Sequence, residues 1–208
     1  MKLKTIDNFL EDKDIQILSN LKLKECRQDK MEVYHNSISN NEVLTADCLE
    51  KDFLLGLNKR YHEKAISILK ELYPEKLNLY DYSEFHIIEI GKNFKFPIHD
   101  DTPNKLLSGV VYLKPFQNIG TNFYSSKFGK DHKVIDWKIN RAVFFARKER
   151  KTWHSFEGDG KSNRVALVYN LMTSRIKDVY KVEEKNYIFG KLRYKLNPYL
   201  YRFFKFTI

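Results

Sequence analysis

The sequence predicts a mainly β fold with flanking α-helices, in which a jelly-roll core follows a helical N-terminal region. Short runs rich in β-branched and aromatic residues recur between residues 81 and 174, separated by Gly, Pro, Asn and Asp. No helical periodicity interrupts these runs, which argues against the alternating βα units of a parallel sheet. With 208 residues, the chain is long enough to bury a substantial core as a single domain.

Residues 1–80 are predicted to be a mainly helical region that supports the core. Asp7 or Asn8 is a candidate N-cap for a segment whose apolar residues recur at helical spacing as far as Leu21. A second helical pattern runs from about Thr45 to Leu72 and ends before Pro74.

Residues 81–174 are predicted to form the β core. The predicted strands are Glu84–Ile90, Leu106–Leu113, Asn122–Tyr124, Lys133–Asp136, Arg141–Ala146, Thr152–Phe156 and Arg164–Leu171. Residues 175–208 follow as a basic, aromatic extension, which we expect to be partly helical and packed on the core.

The composition excludes several classes of protein. The 15 Phe and 13 Tyr argue against a disordered chain, and no run of apolar residues is long enough for a membrane-spanning helix. The first residues lack the apolar stretch of a secretory signal. Cys26 and Cys48 can form one disulfide at most, so we expect a reduced, cytoplasmic setting.

The formal charge of +10 suggests an anionic partner, either nucleic acid or a membrane surface. Much of this charge lies in residues 175–208, which hold nine basic and three acidic residues together with nine of the 30 aromatic residues. We favour a helix that covers a sheet with Phe and Tyr while Lys and Arg face water. The alternative is a surface for an anionic partner or for membrane headgroups.

A candidate metal site begins at His99 and Asp101. Residues i and i+2 of an extended segment point to the same side, so these two side chains can share a metal ion. His154 comes fifty-five residues after His99, at the end of another predicted strand. Two imidazoles and one carboxylate form the ligand set of non-haem Fe(II) sites. The alternative is a surface His–Asp pair in a Pro-flanked turn and a strand-end histidine.

Arg164 opens the predicted strand that ends at Leu171. Strand alternation places Arg164, Ala166, Val168 and Asn170 on one face. An arginine that points into a barrel needs an anionic partner, because an unpaired buried charge is costly. The alternative is a salt bridge at the turn Gly158–Gly160. The charge run Arg147–Lys151 is interpreted as a solvated loop rather than a substrate contact.

Taken in order, His99-x-Asp101, His154 and Arg164 resemble the iron- and 2-oxoglutarate-dependent dioxygenase superfamily, within it the prolyl-4-hydroxylase-like branch. The similarity covers roughly residues 84–173. It extends to four further segments: the glycine turn before the iron motif, the strand whose tyrosine faces the cosubstrate, the family's Gly-Gly-x-Thr-x-Phe turn, and the strand before the second histidine. The matching segments are Gly91–Phe94, Val110–Lys114, Gly120–Phe123 and Asn140–Phe145.

The resemblance implies a double-stranded β-helix fold and an enzyme. His99, Asp101 and His154 would hold Fe(II) as the catalytic centre, and Arg164 with Tyr112 would bind the distal carboxylate of 2-oxoglutarate. The expected reaction uses O2, releases succinate and CO2, and hydroxylates a C–H of a small molecule or a peptide residue, with ascorbate as a reductant. Ile88 stands where a tyrosine is usual, so Tyr124 or Asn170 would serve the other end of the cosubstrate.

Two alternative functions keep the same scaffold. A nucleic-acid demethylase accounts for the positive charge, but Asn170 stands where such enzymes usually carry a second arginine, so this alternative is not favoured. A non-catalytic jelly-roll binding module is the other alternative, and the complete set of metal-ligand residue types argues against it.

Overall fold

The computed structural model describes residues 1–204, with only the backbone for residues 198, 201, 202 and 204. The helices are α1 (Asp12–Ser19), α2 (Lys51–Leu72), α3 (Ile176–Val182) and α4 (Tyr187–Phe204), and a 3-10 helix covers Pro74–Leu79. The strands are β1 (Lys4–Ile6), β2 (Met31–Tyr34), β3 (Asn36–Ser39), β4 (Glu42–Ala46), β5 (Tyr82–Ile90), β6 (Lys95–His99), β7 (Lys105–Lys114), β8 (Thr121–Tyr124), β9 (Lys133–Ile135), β10 (Ala142–Ala146), β11 (Trp153–Glu157) and β12 (Arg164–Met172).

The strands form two antiparallel sheets, and the jelly-roll prediction is confirmed. The larger sheet has the order β1-β10-β7-β12-β5-β3-β4, with β2 also paired to β5. The smaller sheet has the order β6-β11-β8-β9. Residues of both sheets line a common cavity, so the sheets face each other as in other jelly rolls.

The main core lies between the larger sheet and helices α1 and α2. Helix α2 buries residues at helical spacing, among them Leu54, Leu57, Ala65 and Leu69, because this apolar stripe packs against the sheet. On β12 the alternate residues Val165, Leu167, Tyr169 and Leu171 belong to this core, which leaves Arg164, Ala166 and Val168 facing the other sheet.

The residue that precedes α1 is Glu11, so the prediction of Asp7 or Asn8 as its N-cap is wrong. The helical prediction for the N-terminal region is confirmed for α1 and α2 and is wrong for residues 31–46. These residues form β2, β3 and β4, which extend the larger sheet. The turn between β3 and β4 is Asn40-Asn41, and both residues have a positive φ. Asparagine tolerates this conformation better than most residues, so the Asn-Asn pair is a hairpin signal within the sequence.

All seven strands predicted between residues 84 and 171 are present, with ends displaced by one or two residues. The strand that was missed is β6, which contains Pro97. Because β6 lies at the edge of the smaller sheet, a residue without an N–H donor is tolerated there.

Helices α3 and α4 form the C-terminal extension. Val179 and Tyr180 of α3 are buried, whereas α4 leaves most of its large apolar side chains exposed. The expectation that apolar side chains cover a sheet is therefore wrong for α4. Residues 205–208 of the predicted extension lie outside the described part of the chain. Within residues 1–204, no helix is both long enough and apolar enough to cross a membrane.

Candidate functional site

The two candidate histidine ligands lie side by side on neighbouring strands. Strands β6 and β11 pair antiparallel, and His99 is the direct cross-strand partner of His154. The centroids of the two imidazole rings are 4.1 Å apart. A register shift between His154 and Phe156 interrupts the ladder at this point, as is common next to functional sites.

Both imidazoles are held in the same way by the backbone. Nδ1 of His99 lies 3.0 Å from the carbonyl oxygen of Pro97, and Nδ1 of His154 lies 2.9 Å from that of Thr152. A carbonyl oxygen only accepts hydrogen bonds, so each ring carries its proton on Nδ1. The Nε2 lone pairs are therefore available to a metal ion, and the ring orientations are fixed in advance.

Asp101 completes the ligand set from the segment that follows β6. Its two oxygens accept hydrogen bonds from Nζ of Lys105, at 2.8 Å, and from Oγ of Ser108, at 2.5 Å. The neighbouring Asp100 points away, as predicted, and accepts from Oγ1 of Thr152 at 2.5 Å. One ligand atom from each of His99, Asp101 and His154 lies within 4.8 Å of the others, and within residues 1–204 this is the single group of its kind.

The protonation states of these groups suit a cation. Burial, together with the adjacent His154, lowers the pKa of His99 to about 3, so this imidazole is neutral near pH 7. Burial alone would raise the pKa of Asp101, but the ammonium of Lys105 beside it holds that pKa well below its usual range. Asp101 is therefore ionised. Neutral imidazole and ionised carboxylate are the forms that bind metal ions.

Arg164 lies at the start of β12 with only 1% of its surface exposed. Its Nη1 donates to the carbonyl oxygens of Ile119, at 2.7 Å, and of Gly120 and Glu157, both at 3.3 Å. Its Nε is buried and has no hydrogen-bond partner among the described residues. Burial lowers the pKa of Arg164 to about 10, so the guanidinium is still charged at neutral pH. Its Cζ also lies 5.2 and 5.3 Å from the ring centroids of Trp137 and Phe156, but no carboxylate pairs with it among the described residues.

One cavity of about 180 Å³ between the two sheets contains Arg164 and all three candidate ligands. Thr121, Ala166 and Val168 contribute to its walls. A second cavity, of about 210 Å³, also reaches His99 and Asp101. Its other wall includes Arg193, Tyr194 and Asn197 of α4. The candidate ligands therefore lie where two cavities meet.

The structure does not bring Tyr112, Tyr124 and Asn170 into the cavity that holds Arg164. The hydroxyl of Tyr112 donates to Oγ1 of Thr121 at 2.8 Å, so Thr121 stands between this tyrosine and the cavity. The hydroxyl of Tyr124 lies 3.1 Å from Oγ of Ser155. Nδ2 of Asn170 donates to Glu84 at 3.1 Å. The cosubstrate contacts proposed for these three residues stay predictions.

Sequence reasoning missed three polar residues that line the cavity: Lys105, Ser108 and Thr121. Ser108 gave a usable signal, because a short hydroxyl side chain in the mainly apolar stretch from Leu106 to Leu113 needs a partner when buried. Lys105 gave none, since a lysine near the start of a strand is ordinarily solvated.

The interpretation of Arg147–Lys151 as a solvated loop is wrong for two of its residues. Arg147 is 1% exposed and Glu149 is 4% exposed. Nη1 of Arg147 donates to both oxygens of Glu183, at 2.9 and 2.8 Å, and its Nε donates to the carbonyl oxygen of Asp101 at 3.2 Å. Arg147 points inward because Glu183, directly after α3, supplies the opposite charge, and Glu149 points inward because it pairs with Arg147 and with Arg193 of α4.

Comparisons with known proteins agree on the fold. No protein-family model matches the sequence, and no match was found among curated proteins. A Burkholderia pseudomallei oxidoreductase of the 2OG-Fe(II) oxygenase family has a similar structure, with a TM-score of 0.57, 12% identity, and coverage of 82% of this chain and 84% of that one.

Two prolyl hydroxylases have similar structures as well. For the Trichoplax adhaerens enzyme in complex with a hypoxia inducible factor peptide, the TM-score is 0.55 at 14% identity, over 85% of this chain and 86% of that one. For the Pseudomonas putida prolyl-4-hydroxylase, the TM-score is 0.54 at 12% identity, over 82% and 92%. The resemblance stated from the sequence is thereby confirmed at the level of the fold.

Proposed function

We propose that this chain is an Fe(II)- and 2-oxoglutarate-dependent oxygenase that hydroxylates a C–H of a small molecule or a peptide residue. One observation carries the proposal. A preorganised His-Asp-His ligand set shares a cavity with a buried guanidinium whose Nε has no partner among the described residues. That combination fits a metal ion and an anionic cosubstrate bound next to each other.

The ligand set fits Fe(II) by its chemistry. His99 and His154 would bind through Nε2 and Asp101 through a carboxylate oxygen, which leaves coordination positions for other ligands. Lys105 and Ser108 each donate a hydrogen bond to one oxygen of the Asp101 carboxylate. When bound, the iron, together with 2-oxoglutarate and O2, supplies the oxidising power for hydroxylation, with release of succinate and CO2. Ascorbate would serve as a reductant.

Arg164 fits the distal carboxylate of 2-oxoglutarate. A carboxylate beside Nε would satisfy the orphaned donor and neutralise a charge that is costly to bury alone. The hydroxyl of Thr121 accepts from Tyr112, so its own proton is free to be donated to the same carboxylate. In this arrangement Tyr112 positions Thr121 instead of contacting the cosubstrate itself.

The second cavity is the proposed place of the substrate, since it reaches His99 and Asp101 away from Arg164. Its walls combine aromatic side chains, including Trp153 and Tyr194, with polar groups of α4. The structurally similar Trichoplax adhaerens prolyl hydroxylase is in complex with a peptide, which supports peptides as one substrate class. A nucleic-acid substrate has less support, because Asn170 bonds to Glu84 outside the Arg164 cavity.

The test measures cosubstrate and metal binding separately. We expect wild-type protein loaded with Fe(II) without oxygen to develop visible charge-transfer absorption when 2-oxoglutarate is added, and to release succinate slowly in air. Arg164→Met should raise the Kd for 2-oxoglutarate about 100-fold or more, because a buried charge pair is lost. Metal affinity should stay unchanged, because the three ligands are intact.

The matched control is Arg27→Met, since Arg27 is an exposed arginine paired with Asp29 at the surface. It should bind 2-oxoglutarate like the wild type. The proposal is wrong if the wild type binds no 2-oxoglutarate, or if Arg164→Met binds it as tightly as Arg27→Met does. Metal binding without cosubstrate binding would instead favour the non-catalytic binding module.

A further inference from the structure

Helix α4 carries a stripe of apolar side chains on its outer face. We call it the α4 stripe; its residues, with their exposed fractions, are Ile188 (75%), Phe189 (73%), Leu192 (54%), Leu196 (39%), Tyr199 (65%) and Phe203 (66%). From Phe189 onward the spacing alternates between three and four residues, so the side chains line one side of the helix. A continuous exposed apolar surface of this kind marks an interaction site more often than scattered residues do.

The inner face of α4 is fixed to the rest of the protein, which determines where the stripe points. Gly190 lies directly against the ring of Tyr180, where a Cβ atom would collide with it. Arg193 forms an ion pair with the buried Glu149. The side chain of Asn186 caps the start of the helix by accepting from the N–H groups of the first turn. The stripe therefore faces outward, because the opposite face of α4 packs against the rest of the protein.

Within α4, the described charges beside the stripe are all positive, and one exposed acidic residue, Glu184, lies just before the helix. The sequence from Tyr187 to Phe204 contains no Asp or Glu. Lys191 and Lys195 are exposed and lie one helical turn apart along one edge of the stripe. Lys181 and Lys185, also exposed, precede the helix. The surface thus combines apolar area with basic side chains that reach water.

We propose that the α4 stripe docks on an anionic lipid surface, with α4 lying parallel to the membrane plane. Large apolar side chains on one face with lysines at its border are typical of helices that bind at the membrane interface. The lysines would meet lipid phosphates and carboxylates, while the apolar side chains enter the headgroup boundary. Since α4 does not qualify as a membrane-spanning helix, it lies on the surface and does not cross it.

The lysines at the border of the α4 stripe favour a membrane over a second copy of the chain as its partner. A symmetric pairing of two stripes would bring Lys191 and Lys195 of one copy near those of the other, with no acidic residue on the helix to balance them. Gly190 and Arg193 fix the inner face of α4 to the protein, so only the outer face is available to a partner. A flat anionic surface needs only the outer face.

The test is sedimentation of the full-length protein with vesicles of phosphatidylcholine, with or without phosphatidylserine. We expect binding to the phosphatidylserine vesicles that weakens as salt is raised, and little binding to phosphatidylcholine alone. Lys191→Glu/Lys195→Glu should weaken binding about tenfold or more, because two attractive charges become repulsive. Phe189→Ser/Leu192→Ser should also weaken it at least about tenfold, through loss of buried apolar area.

Matched controls separate the α4 stripe from general charge and hydrophobicity. Lys133→Glu/Lys161→Glu reverses two exposed lysines elsewhere, and Phe116→Ser removes an aromatic side chain that is 80% exposed outside α4. Both controls should bind like the wild type. The proposal is overturned if wild-type protein does not sediment with phosphatidylserine vesicles, or if the controls weaken binding as much as the α4 variants. It is also overturned if sedimentation equilibrium shows a dimer that Phe189→Ser/Leu192→Ser abolishes, because the stripe would then bind a second copy.

Discussion

Two fully buried arginines lie close to the candidate metal ligands, and their surroundings are opposite. Arg147 bonds to both oxygens of Glu183, pairs with Glu149, and donates to the backbone of Asp101. Arg164 bonds only to backbone carbonyls and leaves Nε without a partner in residues 1–204. A buried charge with a full set of partners is compensated within the structure, whereas one that lacks a carboxylate fits a ligand that supplies it.

Unfolding experiments on the free protein test most decisively whether the two arginines have different roles. Arg147→Met should lower the free energy of unfolding by about 3 to 5 kcal/mol, because it leaves Glu183 and Glu149 with less compensating charge in the interior. Arg164→Met should lower it by less, about 1 to 2 kcal/mol, since three backbone carbonyls lose a donor but no carboxylate loses its partner. Urea unfolding followed by circular dichroism measures both. Equal losses would mean that both arginines are structural.

The candidate metal ligands were predictable because they depend on local pattern. Strand alternation puts His99 and Asp101 on one side, and β12 displays Arg164 by the same rule. The role of Arg147 was not predictable, because it depends on a contact with a distant part of the chain: Arg147 is buried by Glu183, directly after α3. Ser108, by contrast, bonds to Asp101 only seven residues away. A charge run looks solvated until the helix that covers it is known.

The orientation of α4 and the N-terminal strands escaped prediction for related reasons. Residues 31–46 were assigned to a helical region, although Asn40-Asn41 signals a hairpin turn. Aromatic residues in the extension were expected to face the protein, but the inward position of Arg193 depends on its ion pair with Glu149. An amphipathic pattern identifies two faces of a helix without saying which one packs.

A second prediction concerns the hydrogen bond that supports the metal ligand Asp101. Ser108→Ala removes the hydrogen bond to Asp101 and should weaken Co(II) or Fe(II) binding about tenfold, because the carboxylate is less well oriented. Isothermal titration gives the affinity. Ser39→Ala, at a hydroxyl that bonds to the backbone of Asp81, is the control and should leave metal affinity unchanged. Unchanged affinity in Ser108→Ala would mean that Asp101 needs no such support.

The smallest expected effect concerns the hydroxyls beside Arg164. Thr121→Val should raise the Kd for 2-oxoglutarate about 3- to 10-fold, the usual consequence of one lost hydrogen bond. Tyr112→Phe should have a weaker effect, because its hydroxyl contacts Thr121 and does not reach the cavity. Titration of the metal-loaded variants distinguishes the two. A larger effect for Tyr112→Phe than for Thr121→Val would mean that the hydroxyl of Tyr112 contacts the cosubstrate directly.

The stabilisation that 2-oxoglutarate gives to the metal-loaded protein tests most directly whether Arg164 binds the cosubstrate. At a ligand concentration of about 100 times Kd, wild-type protein and Arg27→Met should each gain about 2.7 kcal/mol in the free energy of unfolding. Arg164→Met should gain almost nothing at that concentration while still binding the metal. If Arg164→Met gains as much as the wild type, the buried guanidinium is not the cosubstrate site and the account is contradicted.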